Sequence, residues 1–237
     1  MDMATTMNKQ KVVNQLFTAL AKQIKGLEEL PARPVLEQFI YAICREGTTR
    51  PHADQAFQAL QSNFFDWNEI RVSAPEELAE VLEGLTPEPL ARAQRIIGFL
   101  QEVFETTFAF DLESLQKKGL KQAAKQLARY QSANDYAVAW VTQQSLGGHA
   151  IPLDNVILRV LRRLQLIEDG VTDLEAIRTS LEHQVPKAKG TLFVDLISSL
   201  GQDLCHESRP QCSSCPLKPN CPTGQVAKSH SASKKPR

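Results

Sequence analysis

Four of the five cysteines, Cys205, Cys212, Cys215 and Cys221, stand within one short stretch at spacing C-x6-C-x2-C-x5-C. Four thiolates this close in sequence can converge on one centre, and a loop rich in Pro and Ser has no apolar core of its own to account for them. The pattern is that of a metal or cluster site. Disulfides are disfavoured, because no secretory signal opens the sequence and the fifth thiol, Cys44, would be stranded by full pairing. All-cysteine zinc sites commonly pair two C-x2-C knuckles, whereas here only Cys212 and Cys215 form one. Spacing alone leaves zinc and iron-sulfur both open. Cys44 lies in an apolar helical run and reads as a small buried hydrophobe. His149 and His206 read as surface residues.

The cysteine loop, with Gly201 just ahead of it and Cys215-Pro216-Leu217 inside it, resembles the [4Fe-4S] loop of endonuclease III and the related helix-hairpin-helix DNA glycosylases. Upstream, Asp154-Asn-Val-Ile-Leu-Arg159-Val160 is similar to that family's catalytic-aspartate segment, with Asp, Arg and Val in register. Gly84-Leu85, followed by Arg92-Ala-Gln-Arg-Ile-Ile97, resembles a third family helix with a longer internal gap. The three matches run in family order and cover most of the chain. The resemblance implies a [4Fe-4S] cluster on the four cysteines, with zinc as the alternative, and double-stranded DNA as the partner of a monomeric protein.

It also implies a chemistry. Enzymes of this kind extrude a nucleotide from the duplex before cutting the base from its sugar. A carboxylate near the anomeric carbon then stabilises oxocarbenium character and orients or deprotonates a water. The resemblance assigns that role to Asp154; from the residues alone, the same aspartate reads as the N-cap of the helix that follows. Tyr136 stands where the bifunctional branch carries its lysine nucleophile. A phenol forms no Schiff base, so the implied activity is a monofunctional DNA N-glycosylase without a β-lyase step, with Tyr136 bordering the base pocket. The alternative is a lapsed iron-sulfur relative that binds DNA or a protein without chemistry.

The same register places Ser132 and Asn134 where the family's hairpin has two phosphate-cradling glycines. Asn tolerates a left-handed backbone, while Ser does not replace Gly there. Arg45-Glu-Gly-Thr-Thr-Arg50 corresponds to the family segment whose Gln fills the gap left by the flipped base; its counterpart here, Gly47, has no side chain to wedge. Val156 stands in place of the histidine two residues after the family aspartate. Toward DNA, the resemblance offers Arg209 between the first two cluster cysteines. Lys121, Lys125 and Arg129, at i, i+4 and i+8, read as one basic helix face able to meet phosphate.

The elements that must position these residues are all helical. Apolar residues recur at steps of three and four from Lys9 to Leu27, and Val35, Phe39, Ile40 and Ile43 mark a strongly apolar core helix after Pro34. Further helices are predicted from His52 to Phe64, from Ser73 to Leu82, and from Thr86 to about Glu105, followed by two short ones broken at Gly119. Ser132-Ala-Asn-Asp135 fits a capping box, with Ser132 as N-cap of a helix that Gly147-Gly148 ends. Three more are predicted to about Leu166, from Asp173 to His183, and from Gly190 to Leu200. No strand alternation emerges, so the class is all-α. By resemblance the architecture is that of a two-subdomain helix-hairpin-helix glycosylase with a C-terminal iron-sulfur loop. Residues 34–149 would form a six-helix domain, and residues 9–33 with 150–221 a cluster domain, with a DNA groove between the two.

The sequence has 27 basic and 27 acidic residues, so net charge supplies no overall attraction to phosphate and any nucleic-acid role depends on local placement. No apolar run is long enough to span a membrane. Free thiols and the lack of a leader point to a reducing compartment, such as the bacterial cytoplasm and its nucleoid. Residues 1–8 read as a disordered N-terminus, and residues 222–237, with Lys228, Lys234, Lys235 and Arg237 and no acid, as a disordered basic tail.

Overall fold

The computed structural model describes residues 3–20, 30–168 and 170–225, with side chains in the first helix from Lys9 onward. Among the described residues every regular element is helical, and no helix is long and apolar enough to cross a membrane. The first helix, α1 (Met3–Leu20), starts ahead of Lys9 and takes in residues that apolar periodicity leaves outside. Its predicted extension to Leu27 and the basic tail beyond Gln225 lie outside the described residues. The chain forms two compact units: Leu30–Asp154, and Met1–Glu29 together with Asn155–Arg237.

Leu30–Asp154 carries α2 (Val35–Arg45), α3 (Arg50–Asn63), α4 (Trp67–Val72), α5 (Pro75–Leu82), α6 (Pro89–Thr107), α7 (Leu120–Leu127) and α8 (Asp135–Gln144). That is seven α-helices among the described residues rather than six. The addition is α4, a short helix that Asp66 caps by accepting a hydrogen bond from the Glu69 amide at 2.8 Å. Too few residues lie between its flanks for periodicity to reveal it. A 3-10 turn over Glu113–Lys117 precedes Gly119, as the break there leads one to expect.

Only Glu37 of α2 escapes burial, so this helix is the axis of the unit. Phe39 stacks on Phe99 of α6 with ring centroids 3.8 Å apart, and Tyr41 meets Trp140 of α8 at 5.5 Å. Two of the polar groups this packing buries satisfy each other: the Trp140 indole N–H donates to Gln38 Oε1 at 3.0 Å. Cys44 is fully buried, and desolvation pushes its thiol up to about 12.

In the other unit, α1 and α9 (Asn155–Arg163) pack on α11 (Gly190–Asp203), with α10 (Leu174–Glu182) between them in sequence. Asp173 caps α10 by accepting from the Glu175 amide. Phe17 of α1 meets Phe193 of α11 at 6.2 Å. Gly201 allows α9 and α11 to approach closely: a Cβ built there would lie 2.4 Å from Val156 Cγ1 and 3.2 Å from Val160 Cγ2. This contact explains the glycine just ahead of the cysteine loop, since α11 runs straight into that loop.

Candidate functional site

The cysteine loop is held by α9. Arg159 donates from Nη2 to Gly201 O at 2.9 Å and from Nε to Cys205 O at 3.1 Å. Arg163 donates to Cys205 O at 3.2 Å, Cys205 Sγ at 3.2 Å, His206 O at 2.6 Å and Glu207 O at 2.8 Å. Two guanidinium groups thus take the carbonyls of Gly201, Cys205, His206 and Glu207 where the helix enters the loop, whose later turns pair their own backbone. Cys205, Cys212, Cys215 and Cys221 all line one small cavity beneath Arg163. Burial raises the Cys215 and Cys221 thiols, and neighbouring thiolates add to the shift in both.

Among the described residues no three His, Cys, Asp or Glu side chains are gathered closely enough to hold a single metal ion. Around one zinc, Zn–S bonds of about 2.3 Å would draw the sulfurs to within about 4 Å of one another. Four soft sulfur donors lining one cavity, with a cation donating to one of them, are a donor set suited to a thiolate-bound metal or iron-sulfur group. Arg209 is exposed at the tip of the loop with φ 64.

The second site lies within Leu30–Asp154. Asp154 is 6% exposed, and its Oδ2 accepts the Gly47 amide at 2.8 Å. Gly47 has φ +73, the left-handed conformation that aims its amide this way and that a side chain would strain. Its neighbour Glu46 reaches the turn before α8: Asn134 Nδ2 donates to both its oxygens, at 2.8 and 2.9 Å, and Arg95 pairs with it at 2.6 Å. Arg95 also donates from Nε to Ser132 O at 2.8 Å. Arg92, one turn earlier on α6, secures the same loop through the carbonyls of Ile43 and Glu46. Burial lowers its pKa and Glu46 opposes the shift. The loop after α2 therefore joins Asp154 to the turn between α7 and α8.

That turn departs from the capping box. The N-cap of α8 is Asn134, whose Oδ1 accepts the Ala137 amide at 2.9 Å. Ser132 serves elsewhere, because Glu102 of α6 takes its hydroxyl at 2.8 Å and its amide at 3.1 Å, together with the Gln131 amide at 2.6 Å. Tyr136, expected to border an open pocket, is instead 1% exposed, stacked on Trp140 with centroids 6.4 Å apart. Tyr136 is the second residue of α8, a helix most of whose residues are buried, and its ring turns to the core with them. Lys121, Lys125 and Arg129 are all exposed, but α7 ends at Leu127, so Arg129 leaves the helical stripe and stands in the following turn.

Glu46, Arg92, Arg95, Glu102 and Arg163 escaped the sequence reading. Arg92 and Arg95 at i, i+3 and the basic cluster Arg159, Arg162, Arg163 were the only hints, and helix-surface charge ordinarily means a solvated face.

No family model matches the chain. It is 27% identical over 165 residues to an endonuclease III homolog of Encephalitozoon cuniculi, covering 65% of this chain and 68% of that protein. Its backbone superposes on a non-covalent endonuclease III–DNA complex with TM-score 0.68 at 18% identity, covering 93% of this chain and 98% of the other. The chain is similar in sequence to an endonuclease III homolog and shares the helical fold of endonuclease III. A thermostable thymine-DNA glycosylase gives TM-score 0.65 at 16% identity, covering 94% and 99%. The DNA glycosylase/AP lyase ROS1 of Arabidopsis thaliana is 25% identical over 174 residues, 66% of this chain but 12% of that much longer protein. Among the proteins this chain is similar to, two are thus DNA glycosylases by name. At under 20% identity the structural likenesses establish its fold alone.

Proposed function

We propose that this protein is a monofunctional DNA N-glycosylase that binds double-stranded DNA and hydrolyses the N-glycosidic bond of a damaged or mismatched base. The observation that carries the reading is the position of Asp154. Its carboxylate is fixed by the Gly47 amide in a loop that also grips the turn before α8. A carboxylate so oriented can face positive charge developing on an extruded sugar and take a proton from water. Tyr136 has no amine and lies in the core, which supports hydrolysis without a Schiff-base step. Cys205, Cys212, Cys215 and Cys221 would hold a [4Fe-4S] cluster, which when bound stiffens the loop presenting Arg209. Arg209 with Lys121 and Lys125 supplies exposed positive charge for phosphate.

Purified protein incubated with duplexes carrying uracil, thymine glycol, alkylated and mismatched bases should leave alkali-labile sites without spontaneous strand cleavage. The activity should vanish in Asp154→Asn while DNA affinity persists. Borohydride trapping of a covalent protein–DNA adduct would overturn the hydrolytic assignment.

One observation favours a second reading, a relative that keeps the scaffold and binds DNA or a protein partner without chemistry: the turn that would cradle a DNA phosphate is closed, its Gln131 and Ser132 amides held by the Glu102 carboxylate. Salt-dependent DNA binding with no base release, equal in wild type and Asp154→Asn, would select it.

A further inference from the structure

Two successive amides and a hydroxyl, those of Gln131 and Ser132, converge on the carboxylate of Glu102 at 2.6, 3.1 and 2.8 Å. Consecutive backbone amides aimed at one place form a concave anion site. The occupant comes from α6, thirty residues away from Ser132 in sequence. The turn is seated firmly against that helix, since a Cβ on Gly98 would come within 3.0 Å of Ser132 Oγ. Arg95 on the same helix holds the Ser132 carbonyl. The donors are therefore fixed by the fold, while the acceptor sits at the end of a flexible, only part-buried side chain. A phosphate diester presents the same chemistry as this carboxylate: two anionic oxygens on one centre.

We propose that Glu102 is a built-in occupant of this anion site, so that a phosphate of DNA reaches the Gln131 and Ser132 amides only by displacing it. DNA binding at this turn is an exchange of one anion for another. Removing Glu102 converts a closed site into an open one. The identity of the phosphate source as DNA rests on the function proposed above; the closure by Glu102 does not.

The test uses the full chain, labelled with 15N, titrated with inorganic phosphate while the Gln131 and Ser132 amide signals are followed. In Glu102→Ala these two signals should move saturably, with no matching movement in wild type over the same range. Glu102→Gln, which keeps one acceptor oxygen and loses the charge, should respond in between and decides the matter if the alanine variant does not fold. Equal response in wild type and variants, or no response in a folded variant, overturns the proposal. In a second arm, duplex affinity is measured at fixed salt. The wild type gives up the three Glu102 hydrogen bonds to make this contact and Glu102→Ala gives up none, so duplex affinity should rise severalfold in the variant. An unchanged duplex affinity in a variant that binds inorganic phosphate refutes the exchange with DNA. A positive phosphate titration with no duplex binding by either protein upholds the closed anion site and refutes the DNA function instead.

Discussion

Replacing Gly201 with alanine places a methyl group where the structure has none to spare. The new Cβ would lie 2.4 Å from Val156 Cγ1 and 3.2 Å from Val160 Cγ2, against the 3.5 to 4.0 Å at which carbon atoms rest in contact. Both neighbours are β-branched residues on α9, with little rotamer freedom to retreat, so α9 and α11 must move apart. Such overpacking typically costs about 1–3 kcal/mol, offset by up to about 1 kcal/mol from alanine's better helix propensity. A net loss of about 1–2 kcal/mol lowers the melting temperature by roughly 2–8 °C for a protein of this size. Separating the helices also pulls Arg159 from Gly201 O and loosens the loop bearing Cys205, so iron and sulfide content of the purified protein should fall with it. Val156→Ala in the same chain removes the worse clash and should restore most of both quantities. Unchanged melting and unchanged iron in Gly201→Ala would show that the two helices are not in the close contact described.

Arg163→Met deletes the donors to Cys205, His206 and Glu207 and should lower iron and sulfide occupancy severalfold, whereas zinc with no sulfide in the wild-type protein would refute the cluster assignment. Glu46→Gln and Arg95→Met, taken through a double-mutant cycle in urea, should show coupling of about 1 kcal/mol, since their pair is four-fifths buried yet still screened by water. No coupling would mean that the strut between the two loops contributes nothing. Burial raises the Cys44 thiol from 9.0 to about 12, so the unfolded chain releases that proton first. The corresponding stability is complete below about pH 9 and is lost progressively toward pH 12. A pH series of urea melts should slope less steeply in Cys44→Ala over that interval, and identical slopes would place the thiol outside the core.

The features legible from residue order are those whose determinants are local. The C-x6-C-x2-C-x5-C spacing brings four thiols to one loop wherever that loop sits, because so few residues cannot carry them apart. Apolar periodicity announced α2 as the central helix, and its near-complete burial follows from the same residues. Caps were harder. Ser132 and Asn134 are both good N-caps, and the choice was made by Glu102, which took the Ser132 hydroxyl and left Asn134 to close the helix. Tyr136 was expected at the border of a pocket, and only the packing against Trp140 turned it inward.

What remained hidden is the set of contacts made by charged side chains between distant elements. Glu46 meets Asn134 across 88 residues, Glu102 meets Ser132 across 30, and Gly47 reaches Asp154 across 107. Each is a surface-type residue or a glycine by every local criterion, because a side chain's partner depends on which helix face the fold turns toward which loop. Spacing within the chain was enough to gather four sulfurs, and a family resemblance to single out an acid; only the packing of α2, α6 and α8 determined that the acid leans on a glycine amide and that the turn beside it is already filled by a carboxylate.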